Sequence, residues 1–278
     1  MDNTAADTRF SALRARYGIE TEVAHAGPWN EVISSLVGHR SVRAYKANAL
    51  PEATLETLVA AAQSAATSSN MQTWSVVAVT RPDTKAALAA LAGHQAHIEQ
   101  CPLFLVWVAD LSRLERVGLA AERRLEALPY LETFLVAAMD AAIAAQNAAV
   151  AAESMGLATV YIGALRNDVE QVACLLGLPP GAVAVTGLCV GYADEGVPAM
   201  VKPRLPQSVV LHSERYGSAA ESGGVAAYDR ALEAFSAAAE RSSYSWTDRV
   251  MSRMGQVAAL SGRDRLRDAL VRLGFPLR

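Results

Sequence analysis

Between Phe134 and Ala152 the chain is apolar almost without interruption: alanine dominates, and only Asp140, Gln146 and Asn147 break the run. A helix that is apolar nearly all round must be covered on most of its faces. A bilayer or a protein interior can do this. Alanine contributes little to insertion, and a central Asp costs about 2.5–3.5 kcal/mol on insertion scales. The stretch Tyr130–Met155 is therefore read as one long helix buried in a core or in a subunit interface, with Gly156 as its left-handed C′ residue. The remainder of the chain has to supply the surfaces that cover it.

It has the material to do so. Hydrophobic residues make up 52% of the 278 residues and charged residues 19%, which supports a substantial core and excludes global disorder. The net charge of -3 argues against a nucleic-acid binder that works by bulk electrostatics. The N-terminal residues carry no apolar leader segment. Cys101, Cys174 and Cys189 lie far apart among apolar neighbours and read as reduced core residues of a cytoplasmic protein. His94 and His97 could share a helical face, but no Glu or Cys completes a zinc set, so no metal is expected. A Gly-x-Ser-x-Gly elbow is absent.

β-branched runs predict strands at Trp74–Thr80, Leu103–Ala109, Thr159–Ile162 and Ala182–Val190. Between them, helices are predicted over Trp29–Val37, Glu52–Ala66, Pro82–Ala92, Gln95–Gln100, Leu111–Ala127 and Asp168–Leu176, the last capped by Asn167. Val225–Glu240 and Asp264–Leu273 follow, separated by a Ser-rich linker that contains Trp246. Strands alternating with helices favour a single mixed sheet with helices on both faces.

Four polar clusters stand out. His39-Arg40-Ser41 with Arg43 suits an anion held by side chains, since no phosphate-loop glycines accompany it. Thr67-Ser68-Ser69-Asn70 with Gln72 follows a helix end. At Tyr161-Ile162-Gly163-Ala164 a strand stops at a glycine, which permits close approach of a flat ligand. Lys202-Pro203-Arg204 sets two cations two apart in a segment that proline keeps extended. Each cluster also has a plainer reading: surface cations, capping hydroxyls, an ordinary turn, solvated loop charges.

Together, GHRSVRAY (Gly38–Tyr45), ATSSNMQTWS (Ala66–Ser75), GHQAHIEQCP (Gly93–Pro102), AAQNAAVAAESMGLATVYIGALRND (Ala144–Asp168), GLCVGY (Gly187–Tyr192) and VKPRLP (Val201–Pro206) resemble the FMN-dependent nitroreductase family. Within it they are similar to the oxygen-insensitive NADPH nitroreductases and NADPH–flavin oxidoreductases. The resemblance spans roughly residues 36–215 and implies an α+β, three-layer α/β/α fold with a mixed, largely antiparallel central sheet. It divides the chain into an N-terminal extension (1–27), an FMN-binding core (28–215) and a helical C-terminal extension (216–278) that wraps the partner of a homodimer.

The family pattern assigns His39, Ser41, Lys202 and Arg204 to the FMN phosphate and Arg43 to the N1/O2 side of the flavin ring, with Arg40 counted among the cofactor-binding residues without a specific role. Gln95 reads the ring's polar edge, the backbone of Ile162, Gly163 and Ala164 donates to N5 and O4 with Tyr161 beside it, and Thr67, Ser68, Ser69 and Gln72 line the flavin, some of them from the partner subunit. The implied activity is ping-pong hydride transfer from NADPH to nitroaromatics, quinones or related electron-poor small molecules, without metal, membrane or nucleic acid. A flavin reductase that supplies reduced FMN to a monooxygenase is the alternative, and an FMN-binding sensor or storage module is the non-enzymatic one. Two departures bear on this. The loop Glu240–Ser245 keeps only Arg241 for the NADPH 2′-phosphate, which leaves NADH open, and Ala164 replaces a glycine of some relatives.

Overall fold

A computed structural model describes residues 3–18, 27–240 and 242–278. They fall into two compact units, Met1–Ser41 with Gly196–Ala259, and Val42–Glu195 with Leu260–Arg278.

The first unit is helical. It contains α1 (Asn3–Tyr17), α2 (Glu31–Gly38), the short α9 (Gln207–Val210), α10 (Glu221–Ala239) and α11 (Trp246–Met254). The side chain of Asn30 caps α2 by accepting from Ile33 N at 3.0 Å, so this helix starts two residues after the expected Trp29. Helix α11 replaces the expected Ser-rich linker. Ser245 accepts from Asp248 N at 3.0 Å while Asp248 accepts from Ser245 N at 3.2 Å, a reciprocal capping box that turns a serine run into a helix start.

The second unit holds α3 (Thr54–Gln63), α4 (Pro82–Leu91), α5 (Ala96–Gln100), α6 (Ser112–Ala120), α7 (Leu131–Ser154), α8 (Val169–Leu176) and α12 (Leu266–Arg272). Its strands are β1 (Trp74–Val79), β2 (Leu103–Asp110), β3 (Ala158–Ile162) and β4 (Ala182–Gly191), in sheet order β1-β2-β4-β3. All three pairings are antiparallel, with Trp74 opposite Ala109, Phe104 opposite Cys189, and Ala158 opposite Gly191. Every residue of β2 is buried, as a central strand with both faces covered requires.

Helix α7 explains the sheet's composition. Ala144, Ala145, Ala148, Ala149 and Ala152 pack among Leu103, Leu105, Trp107, Leu188 and Val190 of the strands and Leu58 and Ala62 of α3. Side chains of one carbon let the helix backbone approach the sheet, and the larger strand residues fill the space between. On the sheet's other face Phe104 lies against Gly187, where an added Cβ would come within 2.4 Å of the ring. Glycine there makes room for the aromatic ring.

Several boundaries differ from expectation for identifiable reasons. Helix α6 stops at Ala120, well short of Ala127, because Glu122 adopts a left-handed φ of 53° and Arg123 N returns to Gly118 O at 2.9 Å. Helix α8 is capped by Asp168, which accepts from Gln171 N at 3.0 Å, and not by Asn167, which lies in a preceding 3-10 turn. Cys174 is exposed, whereas Cys101 and Cys189 are buried as expected. At the C-terminal end, Ala269, Leu270 and Phe275 are buried beside Ala109, Leu111, Ala137, Val169 and Val183 of the same unit. Gly156 carries the expected positive φ, 77°.

Ala148→Leu should overpack the α7–sheet interface and lower stability by about 1–3 kcal/mol, read from the urea-denaturation midpoint. An unchanged midpoint would mean that α7 does not lie close on the sheet.

Candidate functional site

In the first unit, α2 delivers its C-terminal end to the half-buried His39, followed by the exposed Arg40. The irregular segment Val201–Pro206 runs beside it, and the two are joined through Arg16 of α1. Its Nε and Nη2 donate to Val37 O at 3.0 and 2.8 Å, Nη2 also donates to His39 O at 2.5 Å, and Nη1 donates to Lys202 O at 2.8 Å. Two cation-bearing segments more than 160 residues apart in sequence are thus neighbours.

The side chains of Lys202 and Arg204 both have partners within the chain. Lys202 Nζ contacts Glu240 Oε1 at 2.5 Å and donates to Tyr244 Oη at 3.0 Å, while Tyr244 Oη donates to Glu240 Oε2. Burial opposes the charge on Lys202, but the carboxylate and phenol outweigh it and raise its pKa; burial likewise opposes the charge on Glu240, and the hydrogen bonds from Lys202 and Tyr244 outweigh it and lower its pKa. Arg204 folds back, with Nη1 donating to Lys202 O and Pro203 O at 3.0 and 3.1 Å. Glu240 and Tyr244 carry no sequence signal as partners of Lys202. Arg241 lies outside the described residues.

In the second unit, residues 42–46 run along the sheet edge. Val42 N donates to Thr159 O at 3.0 Å, Lys46 N to Tyr192 O at 2.9 Å, and Asp194 N to Ala44 O at 3.0 Å. Val42 and Tyr45 point inward and are buried, which leaves Arg43 exposed. Strand β3 ends at Ile162 and the chain turns into a 3-10 helix over Gly163–Asp168, whose first amides have no partner within the helix. A Cβ at Gly163 would stand 3.2 Å from Arg166 Nη2, so the glycine keeps that turn tight over the arginine. Tyr161 is half-buried, and desolvation raises the pKa of its phenol. Gln95 directs Nε2 to Ala92 O at 3.0 Å, which leaves its side-chain oxygen available as an acceptor.

The hydroxyl-rich loop of the same unit is organised by a residue that sequence reading treated only as an interruption. Asp140 of α7 is 3% exposed. Its Oδ2 accepts from Thr67 Oγ1 at 2.6 Å, Thr73 Oγ1 at 2.9 Å and Thr73 N at 3.2 Å, and its Oδ1 accepts from Ser68 N at 3.1 Å. Thr67 Oγ1 in turn accepts from Gln72 N at 2.9 Å. The loop needs this support, because Ser69, Asn70 and Gln72 all have positive φ, at 49°, 55° and 51°. Ser68, Ser69 and Gln72 remain exposed above it. Burial alone would raise the Asp140 pKa, but the donated hydrogen bonds win and hold it below the usual carboxylate range.

Among the described residues no group of His, Cys, Asp and Glu could hold a metal ion. One unit carries adjacent cationic segments. The other carries an exposed Arg beside a sheet edge, a glycine turn and a braced hydroxyl loop.

Comparison with known proteins gives the family. The nitroreductase family model matches residues 36–192 and the family's C-terminal domain matches residues 202–278, so residues 1–35 stand outside both. The chain belongs to the nitroreductase family. It is 34% identical over 206 residues to the NADPH-flavin oxidoreductase of Vibrio harveyi, covering 74% of this chain and 82% of that protein. It is 34% identical over 184 residues to the oxygen-insensitive NADPH nitroreductase of Salmonella typhimurium, covering 66% and 74%. The solved NADPH:FMN oxidoreductase of Vibrio harveyi complexed with NAD+ superposes with a TM-score of 0.79 at 32% identity, over 90% of this chain and all of that one.

Asp140→Ala should destabilise the protein by roughly 2–3 kcal/mol at neutral pH, since several buried donors lose their acceptor. Because the folded carboxyl titrates below its unfolded value of ~3.9, this stabilisation is present above that pH and is lost as pH falls through the folded pKa. Denaturation series from pH 7 downward should show wild type and variant converging in acid; a gap independent of pH would contradict the carboxylate's role.

Proposed function

We propose that the protein is an FMN-dependent oxidoreductase that uses NADPH to reduce nitroaromatics, quinones or similar electron-poor acceptors, and that it acts as a cytoplasmic homodimer. The observation that carries the reading is the adjacency of the 39–41 and 202–204 segments in the first unit, which gathers donors for one phosphate from two distant parts of the chain.

The donor set suits a phosphate dianion. Ser41 supplies a hydroxyl, His39 a ring N–H and Arg204 a forked guanidinium. Arg40 lies in the same segment. Lys202 has three N–H groups, of which Glu240 and Tyr244 engage two, so one remains for the ligand. In the second unit, Arg43 supplies positive charge for the polar edge of the ring, where its partial exposure costs no desolvation in advance. Gln95 contributes an acceptor. The turn from Tyr161 through Ile162, Gly163 and Ala164 contributes backbone donors, and Thr67, Ser68, Ser69 and Gln72 form a wall braced by Asp140. Arg241 is assigned to the NADPH phosphate. The chemistry FMN supplies when bound is two-electron transfer between the nicotinamide and the acceptor.

The dimer rests on α7. Its outer face carries Leu131, Leu135, Met139 and Ile143 at four-residue spacing, each 44–54% exposed. A helix this apolar with one face already in the core is suited to a symmetric subunit contact along the other.

The engagement of Lys202 with Glu240 favours a second reading. Weaker hold on the phosphate suits a flavin reductase that releases reduced FMN, and gel filtration of the purified protein separates the two. FMN retained through the column supports the nitroreductase reading, and FMN lost supports the reductase.

Arg43→Ala should slow reduction by NADPH about tenfold or more, as expected for removal of one charge-stabilising donor. Anaerobic stopped-flow measures this, and an unchanged rate contradicts the role assigned to Arg43.

A further inference from the structure

We infer that Arg16, in the N-terminal helix outside the matched family regions, is a positioning residue that sets the geometry of the phosphate-binding segments. This rests on the phosphate reading given above.

Arg16 is 8% exposed. A buried guanidinium is costly unless its donors are satisfied. Here Nε, Nη1 and Nη2 all donate to backbone carbonyls, those of Val37, His39 and Lys202. Those carbonyls sit on the two segments whose side chains are the proposed phosphate donors. The planar fork fixes the distance and orientation between the segments, which a flexible ammonium or an apolar side chain cannot do.

The same end of α1 is held in register by further contacts. Arg204 N donates to Arg16 O at 2.9 Å, and Gln207 Nε2 donates to Tyr17 Oη at 3.0 Å. Gly18 ends the helix with φ 63°, and an added Cβ there would lie 3.3 Å from Ala231 Cβ and 3.7 Å from Pro203 Cγ. Gly18 therefore lies close beside the Lys202–Arg204 segment. Arg16 acts through main-chain oxygens, and the backbone it holds directs the His39, Lys202 and Arg204 side chains. The residue gives the N-terminal extension a definite task, which is to preorganise an anion site built from elements of the family core.

The test compares FMN with riboflavin, which lacks the phosphate, in full-length protein stripped of flavin and titrated by fluorescence quenching. Arg16→Met should raise the FMN dissociation constant about tenfold or more while changing that of riboflavin less than about twofold, on the scale of a lost charge-assisted geometry. Arg16→Lys, which keeps the charge but not the fork, should fall between wild type and Arg16→Met. Arg204→Ala probes the phosphate reading separately and should weaken FMN alone. If Arg204→Ala is selective for FMN and Arg16→Met is not, the positioning role is overturned and the phosphate site stands. If Arg16→Met weakens both flavins equally, Arg16 is merely structural and the inference fails. If neither variant shifts the FMN-to-riboflavin ratio, the phosphate reading fails and takes the inference with it. Should Arg16→Met not fold, Arg16→Lys decides by the same ratio, a wild-type value counting against the inference.

Discussion

The close approach of α7 to the sheet is the constraint on which the second unit depends. Alanines at successive turns let the helix lie on β2 and β4, and the bulk missing from the helix is made up by Leu103, Leu105, Trp107 and Leu188. Small-on-large packing of this kind is intolerant of added volume. It also fixes where Asp140 falls, on the buried face of an otherwise apolar helix. A carboxylate there can persist only by gathering donors, and it gathers them from the loop that follows α3. The polar exception in the helix and the strained polar loop thus stabilise each other.

A parallel logic operates in the first unit with the opposite charge. Arg16 is buried among main-chain oxygens as Asp140 is buried among hydroxyls and amides. In both cases one ionised side chain, fully engaged by hydrogen bonds, ties together segments that secondary structure alone leaves unconnected. The exposed polar groups near each are those the family resemblance assigns to the cofactor, while the buried ones organise the backbone beneath them.

Much of this was legible in the sequence. Hydrophobic periodicity located the four strands and the long helix, because burial of β2 and α7 leaves little choice of residue. Capping chemistry was legible only where unambiguous: Gly156 was found, but Asp168 lost to its neighbour Asn167, and Ser245-Trp246 read as linker because a capping box needs the reciprocal Asp248 bond to distinguish it from a loop. The site divided in the same way. Residue type and family pattern single out Arg43 and Lys202, whose roles toward the cofactor are part of the proposal. Arg16, Asp140 and Glu240 carry no such signal, since each acts through partners far away in sequence and none belongs to a local motif. Such long-range polar contacts leave no periodic trace, whereas packing does.

If the gathered cations hold FMN in a protein that passes electrons from a nicotinamide to a separate acceptor, anaerobic titration of the purified protein shows it. The protein is then yellow, NADPH alone bleaches it, and a nitroaromatic added after the NADPH is consumed restores the colour. A protein without flavin, or a yellow one that NADPH leaves unbleached, would contradict the account.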